Sequence, residues 1–179
     1  LSITLPPEAS LHPDETLVLS PDGTQLVFTG YENGVQKLLI RRLDSSEIEA
    51  LPETEGANNP FFSPDGASLG FTRDNEVLTM SLATGRATVL TDGGWGGGSW
   101  GPDDSIVYTP YYTSGLHRIP AGGGASEELT QPDPERFELG HFWPQHLPGG
   151  EVVIFTPFSV PLSRSRIDAY DLRSGEVKT

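Results

Sequence analysis

Ser20-Pro-Asp-Gly-Thr-Gln-Leu-Val-Phe-Thr29 is repeated, with substitutions, three more times along a chain of 179 residues. The other copies are Ser63-Pro-Asp-Gly-Ala-Ser-Leu-Gly-Phe-Thr72, Gly101-Pro-Asp-Asp-Ser-Ile-Val-Tyr-Thr109 and Leu147-Pro-Gly-Gly-Glu-Val-Val-Ile-Phe-Thr156. Proline presets φ at the second position of a tight turn, aspartate suits the third and glycine the fourth. Each copy therefore reads as a chain reversal that feeds a strand. The strands Leu26-Val-Phe28, Ile106-Val-Tyr108 and Val152-Val-Ile-Phe155 are apolar on successive residues, as expected where both faces of a strand are covered.

The turn prolines stand at 21, 64, 102 and 148, at intervals of 43, 38 and 46 residues. That spacing brackets the about 40 to 45 residues of a four-stranded propeller blade, whereas paired-helix repeats recur at about 34. A third apolar segment follows in each unit: Lys37 to Asp44, Glu76 to Leu82, Gly115 to Ile119 and Arg166 to Leu172. These alternate more and are expected to be less buried. Turn residues and a short fourth strand ending at Leu51, Leu90 or Leu129 complete a unit.

The expected fold is all-β, a β-propeller of four-stranded antiparallel blades with about four blades present. The boundaries are an outer strand over 1–6 and blades over about 14–54, 57–92, 95–131 and 141–179. Ser2-Ile-Thr-Leu-Pro6 aligns with Ile48-Glu-Ala-Leu-Pro52, and Gly175-Glu-Val-Lys-Thr179 opens a further outer strand. The segment is therefore expected to belong to a larger or shared ring, with homo-oligomerisation through open blade edges as one way to close it. Leu1 at the start, without a charged and apolar leader, reads as processing or excision from a longer chain.

Composition narrows the partners. Eleven Lys and Arg against 25 Asp and Glu leave a formal charge of −14, so nucleic acid and anionic membranes are poor partners. No apolar run reaches the about 20 residues of a spanning helix. With no cysteine, disulfides, thiolate metal sites and cysteine nucleophiles are excluded. Glycine (21) and proline (16) favour turns over long helices.

At the two full copies, Ser20 to Gly23 and Ser63 to Gly66, the sequence resembles the TolB-type, WD-like β-propeller repeat, a Ser-Pro-Asp-Gly turn entering a Leu-Val-Phe-like strand. Gly101-Pro-Asp-Asp104 lacks the last glycine, and Leu147-Pro-Gly-Gly150 lacks serine and aspartate. Asn58 to Gly66, Gly98 to Asp103 and Phe142 to Pro148 are similar to propellers appended to bacterial serine/threonine kinases. The resemblance covers nearly the whole chain. It implies a module that binds proteins, senses ligands or filters the substrates of an attached peptidase, with an extracytoplasmic setting in a bacterium favoured. It supplies no catalytic residue.

The turn aspartates are expected to be architectural, not calcium ligands. Asp92-Gly-Gly-Trp-Gly-Gly-Gly-Ser-Trp100 lacks the Gly-Lys-Ser/Thr of a phosphate loop and is expected to pack an innermost strand. His141 and His146 are five apart with Pro144 between them, which disfavours a shared metal. No nucleophile elbow and no paired carboxylates on one face are present, so no catalytic residue, metal or cofactor is expected. Gln131 to Phe137 is expected to be a surface loop or short helical turn. Aromatic and amide residues remain as candidates for binding a protein, peptide or small ligand: Asn58, Asn59, Trp95, Trp100, Tyr111, Tyr112, His141 and Trp143. The leading reading is a non-catalytic interaction or sensor module. The alternatives are a peptidase's substrate-gating propeller and a self-assembling structural segment.

Overall fold

In the computed structural model, which describes residues 9–11 and 16–179, the four repeated turns share one geometry. The N–H groups of Gly23, Gly66, Asp104 and Gly150 donate to the carbonyls of Ser20, Ser63, Gly101 and Leu147 at 2.9, 2.9, 3.2 and 2.9 Å. The fourth turn residue is left-handed in every copy, with φ of 71°, 72°, 59° and 74°. Glycine adopts that conformation freely and aspartate tolerates it, so Asp104 keeps the turn intact. In the two full copies the serine hydroxyl donates to Asp22 or Asp65 at 2.6 Å, and each carboxylate accepts a backbone N–H two residues on at 3.0 Å. The serine hydroxyl first, then that N–H, holds both carboxyls below their ordinary value.

Each turn joins two neighbouring strands of an antiparallel sheet, and in the second, third and fourth sheets the strands follow one another in chain order. In the first sheet, β1 (Ala9–Leu11) and β2 (Leu17–Leu19) both pair with β3 (Gln25–Glu32), followed by β4 (Val35–Arg42) and β5 (Ile48–Ala50). The second runs β6 (Asn58–Phe62), β7 (Ser68–Arg73), β8 (Glu76–Ser81) and β9 (Arg86–Asp92). The third runs β10 (Gly98–Trp100), β11 (Ser105–Tyr108), β12 (His117–Pro120) and β13 (Glu127–Glu128). The fourth runs β14 (Glu138–His146), β15 (Val152–Ser159), β16 (Asp168–Asp171) and β17 (Val177–Lys178). The first sheet thus takes in β1, ahead of the expected start at 14, and the fourth begins at Glu138 instead of 141. The outer strand expected over 1–6 lies outside the described residues. Gln131 to Phe137 contains one 3-10 turn, Pro134–Arg136, whose first N–H groups include Glu135 N–H bonded to Asp133.

Burial explains the successive apolar residues. Val27 and Leu38 of the first sheet pack with Phe62, Leu69, Phe71, Leu78 and Met80 of the second. Phe61 and Val77 of the second pack with Ile106, Tyr108 and Ile119 of the third. Val107 and Leu116 of the third pack with Val153, Phe155 and Tyr170 of the fourth. Neighbouring residues of one strand serve different interfaces: Ile106 enters the second cluster and Val107 the third. The third strands are less buried than the second, as their alternation suggests, most clearly where β11 is buried throughout and β12 only at Ile119, yet Leu38, Leu39, Val77, Leu78 and Met80 are at most 1% exposed. They too lie between sheets. On β15, Val153 and Phe155 are buried against the third sheet while Val152 and Ile154 are half-buried on the other face.

Four sheets stacked in chain order, face against face, are the architecture of a partial β-propeller. All four turn prolines, Pro21, Pro64, Pro102 and Pro148, line one depression of about 480 Å³, which fixes the common axis and one end of it.

Candidate functional site

The other end of the axis is built from the starts of the first strands. Five residues before each turn proline stand Thr16, Asn59, Gly97 and Trp143. Asn59, Gly97 and Trp143 are left-handed, with φ of 49°, 80° and 53°. The ladders of β6 with β7 and of β14 with β15 shift register there, as a bulge does when it re-aims a side chain. These equivalent residues meet around the axis. Thr16 Oγ1 lies 3.5 Å from Asn59 Oδ1, and a Cβ on Gly97 would stand 3.8 Å from Asn59 Cβ and 3.9 Å from Trp143 Cδ1.

Glycine makes the crowding possible. A Cβ on Gly96 would come within 2.6 Å of Phe142, and one on Gly98 within 2.7 Å of Phe61. The Trp143 N–H reaches the Gly96 carbonyl at 2.9 Å, a backbone bond between the third and fourth sheets. The glycine cluster is therefore packing, as its sequence implies.

An aromatic rim stands over this crowded backbone. Trp95 meets Tyr112 edge-on at 4.6 Å and Phe142 at 5.5 Å, and Phe142 contacts Trp143 at 5.7 Å and Phe158 at 5.5 Å. Phe142 is buried, yet Trp95 and Trp143 are 51% and 56% exposed, and Tyr111 and Tyr112 are exposed beside them. Next to Trp95 a groove of about 500 Å³ is lined by Asn58, Asn59, Thr72, Asp74 and Asn75. The Asn58 side-chain oxygen Oδ1 accepts from Gln36 at 3.0 Å, and the Asn59 side-chain amide donates to Thr72 at 3.1 Å, so both asparagines are held from behind. A groove of similar volume lies between the outer parts of the first two sheets, along Ile40, Arg42 and Glu49, but no aromatic ring lines it.

The structure brings Asn58, Asn59, Trp95, Tyr111, Tyr112 and Trp143 to this end and separates the other two candidates from it. Trp100 stands at the turn end, where its indole N–H donates to Asp104 at 3.0 Å. His141 is 4% exposed and points between sheets, its ring 4.7 Å from Phe155.

His141 belongs to a buried network that sequence inspection missed. The Leu116 N–H donates to the Thr130 hydroxyl oxygen at 2.8 Å, and that hydroxyl lies 2.7 Å from His141 Nδ1. Burial favours the neutral ring, and the Glu138 carboxylate 3.0 Å from Nε2 then places its one proton there, leaving Nδ1 to accept from Thr130. Arg166 holds both Glu138 and Asp168, at 2.6 and 2.7 Å. Burial lowers the His141 pKa, with Glu138 opposing it. Burial would raise Glu138, but the Asp133 N–H, His141 and Arg166 outweigh it and hold the carboxyl below its ordinary value. At the turn end, Ser99 bonds His146 Nδ1 at 2.9 Å, but Ser99 is 4% exposed and its oxygen also accepts the His146 N–H. It is placed as a structural hydroxyl, not as a nucleophile.

The signs set a pH profile. Unfolded histidine takes a proton near its ordinary value of 6.5 that folded His141 resists, so stability is full above about 6.5 and declines as pH falls. Glu138, with its ordinary value of 4.5, adds a second loss below that pH. Melting temperature measured from about pH 8 to about pH 3 is expected to hold a plateau and then fall in two limbs, the upper one shrinking in His141→Gln. A profile flat down to about pH 5 contradicts the neutral assignment.

No family model matches the sequence, and no curated protein matches it. Among solved structures, TolB from Acinetobacter baumannii superposes with a TM-score of 0.76 at 20% identity, over 92% of this chain and 43% of that one. A putative TolB from Agrobacterium tumefaciens does so at 0.77 and 22% identity, over 91% and 63%. The fold is that of TolB-like β-propellers. The chain spans about half the length of those two TolB-like propellers. A prolyl endopeptidase also matches, with a TM-score of 0.60 at 15% identity over 96% of this chain and 28% of that one. TolB-like sheets of this kind thus also occur within an enzyme.

Proposed function

We propose that this TolB-like propeller segment is a non-catalytic interaction module, and that the end carrying Asn58, Asn59, Trp95, Tyr111, Tyr112 and Trp143 receives a protein or peptide segment. The observation that carries the reading is the exposure of two tryptophans, 51% and 56%, on a backbone fixed by bulges and glycine packing. Rigid aromatic anchors beside held amides supply contact area at little ordering cost. At the opposite end the turns bond within themselves, and the Trp100 indole is tied to Asp104 and is less exposed than Trp95 or Trp143.

The test is selection of twelve-residue peptides on the intact chain, followed by titration of the selected peptides against Trp95→Ala and Trp143→Ala. Each substitution is expected to weaken binding about 10- to 100-fold, the range of an interface anchor, with a melting temperature close to the parent's because both rings are half exposed. Selected peptides that bind both variants as tightly as the parent would remove the proposed face. The peptidase-gating reading rests on the prolyl endopeptidase match. A Gly-x-Ser-x-Gly segment elsewhere in the same polypeptide would favour it.

A further inference from the structure

We propose that the occupant of the aromatic end is a basic segment, one carrying lysine or arginine, whose cationic side chain lies on Trp95 with its head group toward Asp74. This rests on the reading of that end as a binding face and adds the chemistry of the partner.

Asp74 lines the groove beside Trp95. Glu76 stands opposite Asp92 across β8 and β9, a like-charge pairing that costs stability in a ladder, and opposite Arg73 across β7 and β8. The Gly93 N–H bonds the Asn75 carbonyl at 2.7 Å, and a Cβ on Gly94 would stand 2.6 Å from the Glu76 carbonyl oxygen, so the strand end leading to Trp95 is laid against this acidic hairpin. Among the described residues, no side-chain hydrogen bond or ion pair satisfies the carboxylates of Asp74, Glu76 or Asp92. Elsewhere the chain pairs such groups, as Lys37 does with Glu32 and Glu55. Arg73, the cation lining the groove, is turned onto the Glu53 carbonyl at 2.9 Å. Arg164 is spent over the Phe137 ring at 4.3 Å, and Arg166 between Glu138 and Asp168.

An exposed indole face beside unpaired carboxylates attracts a cation twice, through the ring quadrupole and through Coulomb attraction. The formal charge of −14 adds steering from a distance. An acidic segment meets the same groups as repulsion.

Labelled tetra-arginine, tetra-serine and tetra-glutamate peptides, titrated by fluorescence anisotropy at about 0.15 M salt, test this. Tetra-arginine is expected to bind at least about tenfold tighter than tetra-serine, and tetra-glutamate not at all. Asp74→Asn, which retains a residue suited to the left-handed turn position, is expected to weaken tetra-arginine about fivefold, and Trp95→Ala about tenfold. Glu127→Gln on β13 removes equal charge away from the groove and is expected to change affinity less than about twofold. Equal effects of Asp74→Asn and Glu127→Gln, or binding of tetra-glutamate as tight as tetra-arginine, overturn the proposal. If the selected peptides still require Trp95 and Trp143 while tetra-arginine shows no preference, the basic partner falls and the binding face stands.

Discussion

Phe71→Ala is expected to cost about 3–5 kcal/mol, the range for emptying a fully buried aromatic site. For a chain of this size that corresponds to a fall in melting temperature of roughly 6 to 20 °C. Phe71 is fully buried in the cluster that joins the first two sheets, so truncating the ring leaves a cavity between them. Chemical denaturation with fluorescence detection reads the loss. Ile167→Ala, at a position 68% exposed, is the comparison and should stay within about 0.5 kcal/mol of the parent. Similar losses for the two would mean that sheet-on-sheet packing does not carry the fold.

The second large effect is Arg166→Met. Glu138 and Asp168 have side chains only 3% and 1% exposed, and Arg166 bonds both. Removing the cation leaves two buried carboxylates facing each other, which costs about 3–5 kcal/mol near neutral pH. The sign of the pH dependence separates this from lost packing. Without its cation, Glu138 binds a proton more readily when folded, so the difference from the parent shrinks as pH falls toward about 4. A loss independent of pH would place the role of Arg166 in its aliphatic stem.

The turns were legible because they are local. Proline, aspartate and glycine at fixed offsets encode the reversal, and the register of β3, β7, β11 and β15 follows from it. The glycine cluster was legible for a similar reason, since small residues ahead of a first strand mark close approach. Trp95 and Trp100 look alike in sequence but sit at opposite ends of the axis, Trp95 in the bend ahead of β10 and Trp100 as the last residue of that strand. The signal that separates them was present: Trp100 is two residues before Pro102 and so belongs to the turn end.

The role of His141 was not readable. Its partners Thr130, Glu138 and Arg166 come together only when the outer part of the third sheet meets the fourth, and no local pattern records that stacking. The same holds for Phe158, which joins the aromatic cluster from a position that reads simply as strand.

Hydrogen exchange of the chain with and without a selected peptide tests the central claim most directly. Protection is predicted over 58–60, 73–75, 93–97, 111–114 and 142–144, the end where Asn59, Gly97 and Trp143 converge. Protection concentrated instead over the turns at 20–23, 63–66, 101–104 and 147–150 would place binding at the proline end and contradict the account.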